Sequence, residues 1–261
     1  LGETPIIQVN NVHKSFTNLG HSRKILDQIS FDIHRGEIVS LLGESGCGKS
    51  TLLNIIGGFT GCDEGDVLFG GKIVEKPSRK CVMLFQNYGL FPWRSVLKNV
   101  ELGLEANGLS SKERKEQAMK YLQMVGLEDK TELFPRHLSG GMQQRVAIAR
   151  ALAAQPELLL MDEPFGALDT FNRYYLQDEL LRIQESEGTA IILVTHDIDE
   201  AIYLSDRVLI MDANPGRIKR EVRIQESKPR DRSHSSFQYY RKLIFEEFHF
   251  ARSSESVEYV I

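Results

Sequence analysis

Cysteine is scarce in this chain, with three in 261 residues, and Cys47, Cys62 and Cys81 stand at spacings that form no framework of bridges. An odd, unpatterned set of thiols argues against a disulfide-stapled secreted domain and points to the reducing cytosol. Long apolar runs are missing too: none approaches the roughly 18 residues that a membrane-crossing helix needs. The opening Leu1-Gly2-Glu3-Thr4-Pro5 is polar and lacks the basic start of a signal peptide. Without an initiator Met, the numbering is expected to begin inside the natural chain or after processing. Any membrane role must therefore run through a partner. Nor is there an excess of positive charge. Lys and Arg number 32 against 36 Asp and Glu, a net charge of -4, which leaves no basic stripe to neutralise nucleic-acid phosphates. Internal repeats and low-complexity tracts are absent as well.

What is present is an ordinary globular composition, 41% hydrophobic and 26% charged, in a chain long enough for one sizeable domain or one domain with an insertion. Residues 6–12 and 26–33 read as strands, the second ending at the His34-Arg35-Gly36 turn. Residues 37–42 are apolar on both faces, like a buried parallel strand. They feed a glycine-rich loop and then a helix over 49–56. A compact strand follows at 81–85. From 96 to 154 no strand is evident, and Ala118, Tyr121, Leu122 and Val125 fall at helical spacing. That stretch reads as a helical insertion. Strands return at 158–161, 190–195 and 208–211, separated by helical patterns at 171–187 and 198–204. Such alternation predicts a largely parallel sheet flanked by helices. After Gly216 the chain is charged, with residues 228–232 as a linker into a last helix near 237–250.

Gly43-Glu44-Ser45-Gly46-Cys47-Gly48-Lys49-Ser50-Thr51 fits the phosphate-loop pattern G-x-x-x-x-G-K-[ST] between a strand and a helix. Its glycines let successive backbone N–H groups turn toward phosphate, and the helix N-terminus adds partial positive charge. Lys49 is expected to reach the β- and γ-phosphates of a nucleotide, and the Ser50 hydroxyl to ligate Mg²⁺. Cys47 has two readings, a thiol activated by Lys49 and the helix N-terminus, or a small residue facing the core. A second apolar strand, Leu158-Leu159-Leu160-Met161, ends in Asp162-Glu163-Pro164. It would deliver Asp162 to Mg²⁺ and Glu163 to the water that attacks the γ-phosphate.

Between these two motifs stands Leu138-Ser139-Gly140-Gly141-Met142-Gln143-Gln144-Arg145, which resembles the LSGGQ signature of the ATP-binding cassette family, with Met142 in the usual Gln position. The resemblance extends over residues 6–225. Gln86 matches the family's Q-loop, Ala167-Leu168-Asp169 its D-loop, and His196 in Val194-Thr195-His196-Asp197 its switch histidine. Phe16 stands where the family stacks an aromatic on adenine, and residues 18–23 look like a modest loop insertion. The resemblance implies an α/β phosphate-loop core with a mostly parallel sheet, an N-terminal antiparallel β subdomain and an inserted α-helical subdomain. The expected units are 1–90, 91–145, 146–224 and a tail over 225–261.

The resemblance further implies that Ser139, Gly140, Gly141 and Asp169 bind ATP held by an opposite cassette, identical or a paralogue. Gln86 would complete the Mg²⁺ contacts of Ser50 and Asp162, and His196 would orient Glu163 and water. Tyr88-Gly89-Leu90-Phe91-Pro92-Trp93 is similar to a segment of importers for nitrate, bicarbonate, taurine and alkanesulfonates, as is Asn214-Pro215-Gly216-Arg217-Ile218. Tyr88, Leu90, Phe91 and Trp93 would then meet one of two membrane permease subunits, with an extracytoplasmic solute-binding protein beyond them. The site of action would be the cytoplasmic face of the plasma (inner) membrane, reached through the permease. Importers of pyrimidine precursors, exporters and lipoprotein extractors use similar cassettes. A cassette protein of DNA repair or translation is the reading from another class.

Overall fold

In a computed structural model, which describes residues 4–18, 21–105 and 108–255, two sheets share one body. The central one has six strands: β3 (Ile38–Gly43), β6 (Cys81–Leu84), β7 (Leu158–Asp162), β8 (Ala190–Thr195), β9 (Arg207–Asp212) and β10 (Arg217–Arg223), in the order β10-β9-β3-β8-β7-β6. All neighbours run parallel except the β9–β10 pair. The sheet is covered on both faces, and period-2 alternation shows it. Ile38 and Leu42 of β3, Leu159 and Met161 of β7, and Ile191 and Leu193 of β8 enter one apolar cluster; Val39, Leu41, Leu158, Leu160, Ile192 and Val194 enter the other. Each such side chain, fully buried, contributes about 1.5–3 kcal/mol.

Helix α1 (Lys49–Ile56) and an antiparallel sheet of β1 (Ile7–Asn18), β2 (His21–Ile33), β4 (Glu64–Phe69) and β5 (Lys72–Ile73) cover the second face. The first face carries α2 (Val96–Leu104), α3 (Ser111–Met124), α4 (Gly140–Ala153), α5 (Thr170–Glu187), α6 (Ile198–Leu204) and α7 (Ser235–Glu255). The expected architecture is thus the observed one. The expected unit boundary at 145/146 falls inside α4, which crosses it as one continuous helix.

Polar caps start five of these helices. Ser95, Ser110, Ser139, Asp169 and Asp197 each accept a backbone N–H of the first turn, a contribution of about 1 kcal/mol apiece. Ser110 and Glu113 close a reciprocal capping box. Three caps coincide with motif positions: Ser139, Asp169 and the residue after His196. The same side chains therefore begin helices.

Several elements differ from expectation. Of the expected loop insertion over 18–23, Asn18 and residues 21–23 continue strands β1 and β2, which pair through Asn18↔His21, Thr17↔Ser22 and Phe16↔Arg23, while Leu19 and Gly20 lie outside the described residues. The strands β4 and β5 are not individually marked by the sequence, whereas helix α2 falls inside the expected helical insertion of 96–154. Nor is β10 marked, since its residues read only as the charged stretch after Gly216. It is an edge strand with Val222 its one buried residue, and exposed charge along such an edge discourages pairing with another chain. The tail helix α7 runs from 235 rather than 237, and is seated by Phe237 and Ile244. Among the described residues, no helix is long and apolar enough to cross a membrane.

Candidate functional site

The carboxyl ends of β3, β7 and β8 bring the sequence motifs to one edge of the central sheet. Gly48 caps α1 with φ +98°, and a Cβ there would stand 2.6 Å from Leu26 Cδ2; only glycine lets the loop turn so tightly against β2. The first amides of α1 have no acceptor within their own helix. Lys49 is 6% exposed, and its ammonium folds back over the loop, donating to the carbonyls of Gly43 at 2.7 Å and Glu44 at 2.9 Å. Glu44, Ser45, Gly46 and Ser50 lie at the surface and Thr51 is half-buried. Cys47 is 1% exposed within the apolar cluster behind the loop, with the Lys49 ammonium 3.7 Å from its Sγ; it is a small core-facing residue that still touches Lys49.

The two acids behave differently because the chain kinks between them. Asp162 ends β7, and Glu163 adopts φ +50°, a left-handed conformation uncommon outside glycine and typical of functional sites. The kink breaks strand alternation, so consecutive side chains both reach the sheet edge. Burial pushes the Asp162 carboxyl above its ordinary range, opposed by a hydrogen bond from Ser50, reinforced by the Glu163 charge and opposed again by Lys49. The carboxylate is thus lodged against the phosphate loop. Glu163 points instead to the end of β8, where His196 Nδ1 lies 3.1 Å from its Oε1. Its backbone is held by its own N–H donating to Val194 O at 3.0 Å.

Two residues given no role by the sequence hold these pieces in register. The Gln144 side chain of α4 donates to the Glu163 carbonyl at 3.4 Å and accepts the Ala167 N–H at 3.3 Å, tying the helix of the signature to the carboxylate loop. Arg173 of α5 donates to Leu168 O and to Asp197 Oδ2, each at 3.3 Å, joining the segments that carry Asp169 and His196. Gln144 lies within the signature stretch 138–145 while no local pattern flags Arg173, and each gains its partners only on folding.

The signature faces outward. Ser139 and Gly140 are exposed and Gly141 is half-buried beneath Ala167 and Leu168. Asp169 is exposed, and hydrogen bonds from the Asn172 side chain and backbone hold its carboxyl below the ordinary range. Gln86 is exposed at the end of β6, and Phe16 is 48% exposed on β1. Of the four aromatic-turn residues, Tyr88, Leu90 and Phe91 are half-buried, and Trp93 alone is open to solvent at 70%. The turn is braced from below. Buried Asn99 accepts the Phe91 N–H at 2.9 Å and donates to the carbonyls of Phe91, Arg94 and Ser95. Arg150 of α4 donates to the carbonyls of Gly89 at 2.7 Å and Tyr88 at 2.9 Å.

Comparison with known proteins agrees with this geometry. The family model described as ABC transporter matches residues 26–166. The chain is 50% identical over 238 residues to an uncharacterized ABC transporter ATP-binding protein of Methanocaldococcus jannaschii, covering 91% of this chain and 89% of that one. It is 43% identical over 244 residues to the aliphatic sulfonates import ATP-binding protein SsuB of Bacillus cereus, covering 94% and 96%. Among solved structures, the dimeric cassette MJ0796 in a post-hydrolysis state with ADP and Pi superposes with a TM-score of 0.78 at 34% identity, over 85% of this chain and 100% of that one. A phosphate loop, an acid pair at a sheet edge, a histidine on the second acid and matches across nine-tenths of the length lead to one conclusion: the chain belongs to the ABC transporter family and is an ATP-binding, ATP-hydrolysing cassette.

Proposed function

We infer that this cassette drives uptake of a small anionic solute of the sulfonate, taurine, nitrate or bicarbonate type. It would work as one of two cassettes on the cytoplasmic face of two membrane permease subunits, served by an extracytoplasmic solute-binding protein. The observation that carries the hydrolytic part is the Glu163–His196 contact at 3.1 Å, beside Asp162 and the phosphate loop. Support for the importer reading is the SsuB relative, matched over 96% of its length.

In this reading the loop amides 45–51 and Lys49 bind the ATP phosphates, the Lys49 ammonium exchanging two carbonyls for phosphate oxygens. Phe16 stacks on adenine. The oxygen donors Ser50, Asp162 and Gln86 are hard ligands suited to Mg²⁺, and the Ser50 hydroxyl lowers the Asp162 carboxyl against the effect of burial. When bound, the ion would neutralise charge on the β- and γ-phosphates. Glu163 accepts a proton from the attacking water and His196 keeps that carboxylate oriented. The exposed Ser139, Gly140, Gly141 and Asp169 contact the ATP of the opposite cassette through the α4 N-terminus, completing two sites between two chains. Trp93, with Tyr88, Leu90 and Phe91, meets the permease.

The shared site is tested by complementation. Lys49→Ala and Ser139→Arg are each inert alone, and mixed dimers holding one of each regain part of the wild-type ATP turnover because one of their two sites is intact. Inert mixed dimers, confirmed by differential tags, count against this arrangement. Co-purification of a permease with a solute-binding partner, followed by solute screening on the latter, tests the importer reading.

A further inference from the structure

The segment between β10 and α7 carries a cation to the back of the switch histidine. The half-buried Arg232 guanidinium stacks on two rings, 3.4 Å from the centroid of Tyr203 and 4.0 Å from that of Tyr174. Its Nη2 donates to Gln177 Oε1 at 2.6 Å. Gln177 is 1% exposed. With its oxygen committed to the guanidinium, the amide nitrogen is turned the other way, and Nε2 donates to Glu200 Oε1 at 3.2 Å. The other oxygen of buried Glu200 accepts the Thr195 hydroxyl, and that same hydroxyl accepts the Asp197 N–H at 3.0 Å. Thr195 and Asp197 flank His196. The last link of the chain is therefore the turn from which His196 reaches Glu163.

Docking the tail does not require this path. Phe237 and Ile244 already bury α7 against the body, and Arg241 pairs with Asp199 of α6 at 2.9 Å. A buried acid and a buried amide are costly unless fully satisfied. What they add over apolar contact is direction, because hydrogen bonds fix angles that packing leaves loose.

We propose that Arg232, Gln177 and Glu200 are positioning residues for ATP hydrolysis, which hold the Thr195–Asp197 turn so that His196 stays aimed at Glu163. The C-terminal segment is thereby part of the hydrolytic apparatus although it touches no nucleotide. The proposal rests on Glu163 and His196 acting as the hydrolytic pair.

The test is steady-state turnover and equilibrium ATP binding of the full chain carrying Arg232→Ala, Gln177→Met, both together, and each in a His196→Ala background. Gln177→Met keeps volume and removes the polar link, so it carries the test where Arg232→Ala folds poorly. Each single variant lowers kcat about tenfold with KM for ATP within about twofold. The double variant falls no further than the worse single one, because both break one path. In the His196→Ala background, neither substitution moves the residual turnover by more than about twofold. Wild-type kcat in both single variants, while His196→Ala retains only a small residual turnover, overturns the proposal and leaves the hydrolytic pair standing. So does an undiminished Arg232→Ala effect without His196. Full turnover by His196→Ala alone overturns the hydrolytic reading and the proposal with it.

Discussion

Gly216 and Cys47 meet backbone to backbone: a Cβ on Gly216 would stand 2.1 Å from the Cys47 carbonyl oxygen. The glycine is clamped from behind as well, its N–H donating to Ile25 O at 2.8 Å and its carbonyl accepting the Asp27 N–H at 3.0 Å. The loop that follows β9 thus forms a floor under the phosphate loop. Gly216→Ala cannot be absorbed by a side-chain rotation, because the atom it meets is main chain. ATP affinity is expected to fall by about tenfold or more as the loop amides are displaced, given that shifts of about 1 Å at a site carry effects of about a hundredfold. Gly61→Ala, where a Cβ meets nothing within 4 Å, serves as the control. Equal affinities by calorimetry would show that the floor does not position the loop.

Glu163→Gln is expected to keep ATP binding and lose steady-state hydrolysis by about a hundredfold or more. The amide preserves shape and removes both the base and its repulsion of the γ-phosphate. A dimer that persists in ATP should then be seen on size-exclusion chromatography. Hydrolysis at the wild-type rate would remove Glu163 from the role of base.

Burial raises the Glu200 carboxyl to about 7, against hydrogen bonds from Thr195 and Gln177 and the Arg173 charge, with the Asp197 charge adding to the rise. Since the unfolded value is near 4.5, the folded state retains a proton that the unfolded chain releases between these two values. Stability therefore falls as pH rises from about 4.5 to about 7 and levels off above, by roughly 3 kcal/mol at about 1.4 kcal/mol per pKa unit. Glu200→Gln removes this contribution. Asp162, Glu187 and Asp199 are raised in both proteins, so the difference between their urea-unfolding curves across pH isolates Glu200. Parallel pH dependences would contradict the assignment.

Trp93→Ala should leave ATP binding by the isolated cassette unchanged and weaken assembly with the permease, together with solute-stimulated turnover. The ring is 70% exposed and packs on Phe91 with centroids 5.2 Å apart, while Asn99 keeps the turn beneath it rigid without help from the indole. Wild-type assembly and stimulation in the reconstituted complex would make the turn ordinary surface.

Maleimide is expected to label Cys62 in the native chain and to spare Cys47 and Cys81. Both spared thiols are buried, and burial pushes the Cys81 thiol up to about 12. Peptide mass spectrometry before and after unfolding separates the three. Rapid labelling of native Cys47, blocked by Mg-ATP, would restore the reactive-thiol reading.

The sequence by itself determined the chemistry that is encoded in short spacings. A backbone cradle for phosphate needs its glycines, Lys49 and Ser50 within one turn, so residues 43–51 declare it. An apolar strand ending in Asp162-Glu163 declares its edge in the same way, and continuous apolar runs declare the parallel strands, because both faces of that sheet are covered. The hairpin β4–β5 and the edge strand β10 were not legible, since their residues lie largely at the surface and carry little alternation. Tertiary structure alone decided that Cys47 faces the core, that Gly216 floors the loop, and that Glu163 turns toward His196 through a left-handed backbone. It also decided the path from Arg232 through Gln177 to Glu200. Arg232 and Gln177 stand 55 positions apart, and neither carries a local pattern, because a hydrogen bond between distant residues exists only once the fold has brought its two ends together.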